Sequence, residues 1–333
     1  MGRPKVGITG GSGYIGSALA RHLSKTFNVK VLDKEPLPKD IKNKVEYEQC
    51  DIREYNKVEQ GVKDLNLVIH TAIIQIPLIN EARRLGYEVN LLGTQNICEA
   101  VNKVSSIKGM ILAGSWHVFG EKGLKGMISE DLGFRLDKVE ERAHLYALSK
   151  VAQEVIVRFY DEISEKIYGI IRMGTTLGED MPEKTAAKIF ITQGLAGEPI
   201  TPYKHSMHRP MLYIDINDVC KAFELYAKKI LNNGVWRKRD SLSHIVNICY
   251  PEPITILELT TLVRNAIIKH SGGRIEPKIE IVDTGQPSPF APNDKKLITV
   301  NINKAASFLK LSNFNKPEEV IERIVGIACN QVK

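Results

Sequence analysis

Tyr146 and Lys150 stand four residues apart in Tyr-Ala-Leu-Ser-Lys, a spacing that puts a phenol and an ammonium on one face of a helix. No other of the eleven tyrosines has a lysine four residues later. A cation beside a phenol favours the phenolate and draws its reference pKa of about 10 toward the range of a general base. The bland alternative is an amphipathic core tyrosine with a lysine snorkelling beside it. Far upstream, Thr9-Gly10-Gly11-Ser12-Gly13-Tyr14-Ile15-Gly16 follows the apolar run Val6-Gly7-Ile8 and opens into the helix-like Ser17–Leu23. A strand, a glycine turn and a helix in that order aim backbone N–H groups at a pyrophosphate, with no Cβ in its way. Asp33 ends the next strand, where a carboxylate accepts hydrogen bonds from ribose hydroxyls and repels a 2′-phosphate; NAD is favoured over NADP, with Lys34 acting against that preference. Together these residues point to nicotinamide redox chemistry.

The elements that must position them alternate. Val29–Leu32 and Val45–Gln49 read as the second and third strands, Leu67–His70 as the fourth, Gly109–Ala113 as the fifth and Ile167–Arg172 as the sixth. One long helix is expected from about Asn80 to Val104. Another is expected from Glu141 to Ile163, where Leu145, Leu148, Val151, Ala152, Val155, Ile156 and Phe159 recur at helical spacing. Repeated strand-then-helix units predict an α/β chain with a Rossmann-type, doubly wound parallel sheet. After Gly174 the pattern turns irregular up to Pro210. We therefore expect a dinucleotide-binding domain over 1–173, to which 211–250 return, and a smaller substrate-binding lobe from 174–210 and 251–333.

At 333 residues and 43% apolar composition the chain can bury a substantial core. The five cysteines are dispersed and show no zinc spacing, so a reduced, cytoplasmic setting and no metal are expected. No apolar run approaches the roughly 20 residues that span a bilayer. The first strand follows almost at once on Met1, and neither signal peptide nor lipid anchor is expected. A net charge of +7 could signal nucleic acid, yet the basic residues are scattered and their densest cluster, Arg237-Lys238-Arg239, is followed by Asp240. No nucleic-acid partner is expected; an anionic small substrate suits the basic excess better.

These motifs resemble the extended short-chain dehydrogenase/reductase family, in its NAD-dependent nucleotide-sugar epimerase/dehydratase branch, with UDP-glucose 4-epimerases as its type. The likeness runs nearly end to end. Thr9–Gly16 resembles the T-G-x-x-G-x-x-G turn, Asp51-Ile52 the acidic-apolar pair beside adenine, and His70-Thr71-Ala72 the H-x-A strand end. Val89-Asn90-Leu91-Leu92-Gly93-Thr94 resembles V-N-x-x-G-T, Ser115-Trp116-His117-Val118-Phe119-Gly120 the S-x-x-V-Y-G loop, and Tyr146 to Lys150 the Y-x-x-x-K. Arg209 with Tyr213–Val219, then Val246-Asn247-Ile248 and Thr255–Leu259, resemble later landmarks.

The resemblance implies that Gly10, Gly13, Tyr14, Ile15, Gly16, Asp33, Asp51, Ile52, Thr71, Ala72 and Asn90 bind NAD, together with Tyr146 and Lys150. Ser115, Tyr146 and Lys150 are the implied catalytic set: the serine bonds the reacting oxygen, the tyrosine is the base, and the lysine also grips the nicotinamide ribose. Ser115, His117, Thr175 and Arg209 are the implied substrate contacts, Arg209 toward a diphosphate. Asn90 can also be a structural support, and His117 either a supplementary acid or base or a loop histidine without a task. Thr175 stands where many members carry an Asn, Phe119 where they carry a Tyr, and Lys204-His205-Ser206 where Gly-Asp-Gly is usual. Trp116-His117 replace the Asp-Glu pair of sugar dehydratases, so dehydration lacks its acid and base. The implied activity is a nucleotide-sugar epimerase; a dehydrogenase of a nucleotide sugar or small alcohol, and a non-catalytic NAD(P)-binding sensor, are the alternatives. The family habit of pairing two helices across a two-fold axis implies a homodimer.

Overall fold

A computed structural model describes residues 2–232 and 242–331; Arg237, Lys238 and Arg239 lie outside the described residues. Seven strands form one sheet: β1 (Lys5–Thr9), β2 (Asn28–Asp33), β3 (Glu46–Gln49), β4 (Leu67–His70), β5 (Gly109–Ser115), β6 (Ile167–Met173) and β7 (Ile245–Ile248). Their spatial order is β7-β6-β5-β4-β1-β2-β3 and every neighbouring pair is parallel. β4 and β5 are buried throughout, as strands covered on both faces must be. The expected doubly wound sheet is present. The strand bounds shift by two residues at most, and β5 runs on to Ser115.

Of the helices α1 (Tyr14–Leu23), α2 (Tyr55–Val62), α3 (Thr94–Lys103), α4 (His144–Ile163), α5 (Ala186–Leu195), α6 (Ile216–Leu231), α7 (Ile256–Ser271) and α8 (Pro317–Gln331), α1–α4 and α6 flank the sheet, and α5, α7 and α8 pack beyond it. On one face Leu19 and Leu23 of α1 and Phe223 and Tyr226 of α6 pack with Ile8, Ile69 and Ile171. On the other, Val58 of α2, Ile97 and Val101 of α3 and Val157 and Tyr160 of α4 pack with Val68, Met110 and Ile170. A further apolar core lies beyond the sheet, joining Trp116 and Phe119 to Leu177, Phe190, Leu259 and Ile321. Its α7 is well delimited, with a Thr255–Glu258 capping box at one end and Gly272 at φ 64° at the other.

The long helix expected from about Asn80 to Val104 forms from Arg83 to Lys103, where Arg83–Tyr87 runs through a wide turn with i to i+5 bonding, Glu88–Gly93, into α3. Only its start differs: the turn Leu78–Glu81 is set off by Ala82 at φ −120°, ψ 63°. The wide turn has a visible cause. It seats Asn90 against the backbone of Ile74, and Gly93 against Ile52, where an added Cβ would lie 2.4 Å from Ile52 Cδ1.

Candidate active site

The strand order reverses between β1 and β4, and in a doubly wound sheet the ligand crevice opens past the carboxyl ends of the strands at that point. Thr9 and His70 are register partners there, and Thr71 Oγ1 donates to the carbonyls of Thr9, at 2.8 Å, and Gly10. Below them His70 is fully buried, its ring nitrogens 2.6 Å from Thr9 Oγ1 and 3.0 Å from Thr94 Oγ1. Burial pushes its pKa down to about 3, so it serves as a neutral staple under the cleft.

A cleft of about 380 Å³ opens above the glycine turn, lined by Gly10, Gly13–Gly16, Asp33, Asp51, Ile52, Thr71 and Ala72 among others. Gly10 sits at φ 72°, and a Cβ there would lie 2.5 Å from the backbone of Ala72; at Gly16 it would lie 2.2 Å from Gly10 O. The turn therefore requires glycine at both places. Gly13 caps α1 without a side-chain bond, and the first turn of that helix has no acidic residue, which leaves its N-terminal amides open to an anion. Asp33 holds the turn: its Oδ2 accepts from Ser12 N at 2.9 Å and its Oδ1 from Glu35 N at 3.0 Å. Asp51 is paired with Arg53 at 2.6 Å, which keeps its carboxyl below the usual range despite burial. Glycine cradle, open helix end and terminal Asp33 fit the diphosphate and ribose of a dinucleotide.

A second cavity of about 210 Å³ adjoins the first and shares Tyr14, Ile15, Thr71, Ile73, Gln75 and Pro182 with it. Ser115, His117, Tyr146, Lys150 and Thr175 line it. Residues separated in sequence thus meet where β5 ends and α4 begins. Ser115 and Tyr146 face the same cavity, and Lys150 Nζ donates to Ala113 O at 2.8 Å. Thr175 accepts from Trp116 Nε1 at 3.1 Å.

The expectation that Lys150 lowers the Tyr146 pKa is not met. Burial pushes the phenol up to about 12, opposed only by the nearby Ser115 hydroxyl, and pushes the ammonium down to about 7. Lys150 Nζ lies 6.0 Å from the centre of the Tyr146 ring, so its charge acts weakly on the phenol while its proton serves the Ala113 carbonyl.

Two expected contacts are placed elsewhere. Asn90 lines neither cavity: its side chain accepts from Ile74 N at 2.7 Å and donates to Ile74 O and Ser149 Oγ, so it braces the loop after β4 from beneath. Arg209 also lines neither. It is buried against Glu140, whose carboxylate it bonds, because a guanidinium removed from water needs a counter-charge. The loop Ile73–Ile76 and the residues Pro182 and Thr185, which line the cleft, were not foreseen. Ile73–Ile76 follow directly on a strand end at the reversal point, a position that could have flagged them; no sequence signal couples Glu140 to Arg209, 69 positions away.

The cleft wall is tied from outside by α8. Arg323 bonds both oxygens of the fully buried Asp215 at 2.7 Å and Glu179 Oε1 at 2.6 Å. Asp215 caps α6, and Gly178 beside Glu179 abuts Tyr14, whose hydroxyl would lie 2.5 Å from an added Cβ.

A family model described as the NAD dependent epimerase/dehydratase family matches residues 6–248. The chain belongs to that family. It is accordingly an enzyme of the NAD-dependent epimerase/dehydratase type. A Methanocaldococcus jannaschii protein named "Putative UDP-glucose 4-epimerase" is 29% identical over 270 residues, 78% of this chain and 81% of that protein. The fold of this epimerase/dehydratase matches a Thermotoga maritima UDP-glucose 4-epimerase solved with UDP-glucose, at a TM-score of 0.78 and 18% identity, covering 99% of this chain and 100% of the other. It also matches a Bacillus cereus UDP-glucuronic acid 4-epimerase solved with UDP-glucuronic acid and NAD, at a TM-score of 0.76 and 20% identity, with coverage of 99% and 100%.

Proposed function

We propose that this enzyme is a nucleotide-sugar 4-epimerase. The observation that carries the reading is the meeting of Ser115, Tyr146 and Lys150 in a cavity that opens into the glycine-turn cleft. The M. jannaschii relative and the two solved 4-epimerases support it. Gly10, Gly13 and Gly16 would hold the NAD diphosphate on the amides of α1, Asp33 the adenosine ribose, and Lys150 the nicotinamide ribose. NAD held there would supply the hydride acceptance and return at the sugar carbon. Tyr146 takes the proton of the sugar hydroxyl and returns it after the keto sugar has turned its other face, while Ser115 bonds the same oxygen. Trp116 and His117 provide no carboxyl pair for water elimination. The second apolar core, over which the substrate cavity closes, is the proposed substrate lobe.

A second reading, net dehydrogenation of a small alcohol, draws on Thr175: its hydroxyl is engaged by Trp116, and Ile73, Ile76 and Met173 give the cavity apolar walls. The deciding experiment incubates the protein with a panel of UDP- and dTDP-sugars, follows sugar isomers by chromatography and NADH by absorbance. Interconversion of 4-epimers without net NADH is the expected result; stoichiometric NADH would establish the second reading, and NAD binding without turnover the sensor.

Assembly and compartment belong to the same proposal. Along one side of α4, Leu148, Val155, Phe159 and Ile163 are 40–59% exposed, a stripe wider than one sheet face requires, and Leu92 beside α3 is 49% exposed. A homodimer packed through α3 and α4 would cover them. None of the five buried cysteines is joined in a disulfide, which suits the cytoplasm. Among the described residues no helix is long and apolar enough to cross a membrane.

A further inference from the structure

We propose that His117 is a positioning residue for the Tyr146 proton transfer: its Nδ1 sets the direction in which the Ser115 hydroxyl faces Tyr146. A serine hydroxyl has one proton to give and two lone pairs to fill. One lone pair of Ser115 Oγ already accepts from the backbone N–H of His117 at 3.3 Å, and Nδ1 of the same residue lies 3.0 Å from that oxygen. Tyr146 lines the same cavity, its ring edge-on to the imidazole. The two bonds to His117 leave the hydroxyl one position, which faces Tyr146 until the sugar oxygen takes it, so the state of Nδ1 decides what is offered there.

When Nδ1 carries no proton it takes the hydrogen of Ser115, and the remaining lone pair receives the proton of a Tyr146 phenol. When Nδ1 carries the proton it fills that lone pair instead, and the only course for the serine hydrogen is toward a Tyr146 phenolate. Passing from the first state to the second moves the phenol proton to Oγ, the serine proton to Nδ1 and the Nε2 proton to water. The imidazole is neutral in both states. An epimerase requires Tyr146 first as an acceptor and then as a donor, so a partner that lets Ser115 reverse direction serves both halves of the turnover.

The surroundings keep the ring in place and uncharged. Ser115 caps the short 3₁₀ turn Trp116–Phe119, which fixes the spacing of the two side chains. Trp116 lies 4.8 Å from the imidazole centroid, and the Tyr146 ring meets it edge-on at 5.5 Å and 89°. Burial first, then the charges of Arg209, Arg142 and Lys150 against that of Glu140, push the His117 pKa down to about 3.

The kinetic arm of the test rests on the proposed epimerase reading; the spectroscopic arm does not. In the NAD-loaded protein without sugar, nitrogen NMR of labelled histidines, with His117 assigned by difference against His117→Phe, should show a neutral ring through about pH 6–8, the range in which an unperturbed histidine near 6.5 titrates. Its Nδ1 resonance should move in Ser115→Ala and in Tyr146→Phe. Ordinary titration near 6.5 with no response to either variant would overturn the proposal. In steady state His117→Phe should lower kcat about 10- to 100-fold with KM nearly unchanged and displace the pKa seen in the kcat profile, while His117→Asn, which restores a hydrogen-bonding group, recovers much of the rate. A raised KM with kcat and pH profile intact would make His117 a plain substrate contact and reject the positioning role. An inactive unmodified enzyme would reject the epimerase reading alone.

Discussion

Lys150 Nζ donates to the carbonyl oxygen of Ala113, two residues before Ser115 on the same strand. One buried bond therefore ties α4 to the end of β5 and sets Tyr146, a helical turn earlier, against Ser115. The alignment of the three groups is a property of two adjoining elements, not of a loop.

Replacing Tyr146 by Phe removes one hydroxyl and leaves the ring packing intact. Folding and NAD binding should be nearly unchanged, and turnover should fall about 10²- to 10⁴-fold, the usual worth of a general acid–base group. Circular dichroism, calorimetry and sugar-isomer assays check the three parts separately. Full activity in the variant would shift the base to another residue.

Lys150 makes stability depend on pH with a sign that can be worked out. Its folded pKa of about 7 lies below the 10.5 of an exposed lysine, so between those values the unfolded chain binds more protons and stability rises with pH. Lys150→Met has no such group. Urea midpoints of the cofactor-free variant should be higher than those of the unmodified protein near pH 7, and the rise toward about pH 9 should flatten. NAD affinity and turnover should both drop, as the lysine is the proposed grip on the ribose.

Asp33 both braces the glycine turn and faces the ribose. Asp33→Ala should weaken NAD, because Ser12 N and Glu35 N lose their acceptor, and should narrow the margin of NAD over NADP, because the repulsion of a 2′-phosphate is gone. Titration calorimetry with each cofactor measures the two effects. Equal affinities in the unmodified protein would show Lys34 to dominate the pocket.

Phe159→Glu places a charge in the middle of the exposed stripe of α4. Sedimentation velocity at micromolar concentration should show a dimer for the unmodified chain and a monomer for the variant. A monomer in both would remove the proposed assembly.

Much of this molecule is written in short-range pattern. The strand ends, the glycine turn, Asp33 and the Tyr146–Lys150 pair are local signals, and each sits where its spacing says it should. What escaped is of longer range. Asn80–Val104 has helical periodicity throughout, yet Asn90 and Gly93 obey partners at Ile74 and Ile52, and the helix widens there into i to i+5 bonding. Arg209 has the right chemistry for a phosphate, but Glu140 claims it first, and burial has a similar effect on the pKa values of Tyr146 and Lys150. Counter-charges and desolvation are decided by the assembled surroundings, which no single stretch of sequence displays.

The clasp of Arg323 on Asp215 and Glu179 has a temporal side. The ribosome delivers the glycine turn, Ser115, Tyr146 and Lys150 long before it delivers Arg323, so a nascent chain acquires its chemical groups while the wall beside Tyr14 is still unfastened. Competence would then arrive late and all at once with the emergence of α8, and a stalled translation product would retain every catalytic side chain without a closed site in which to use them.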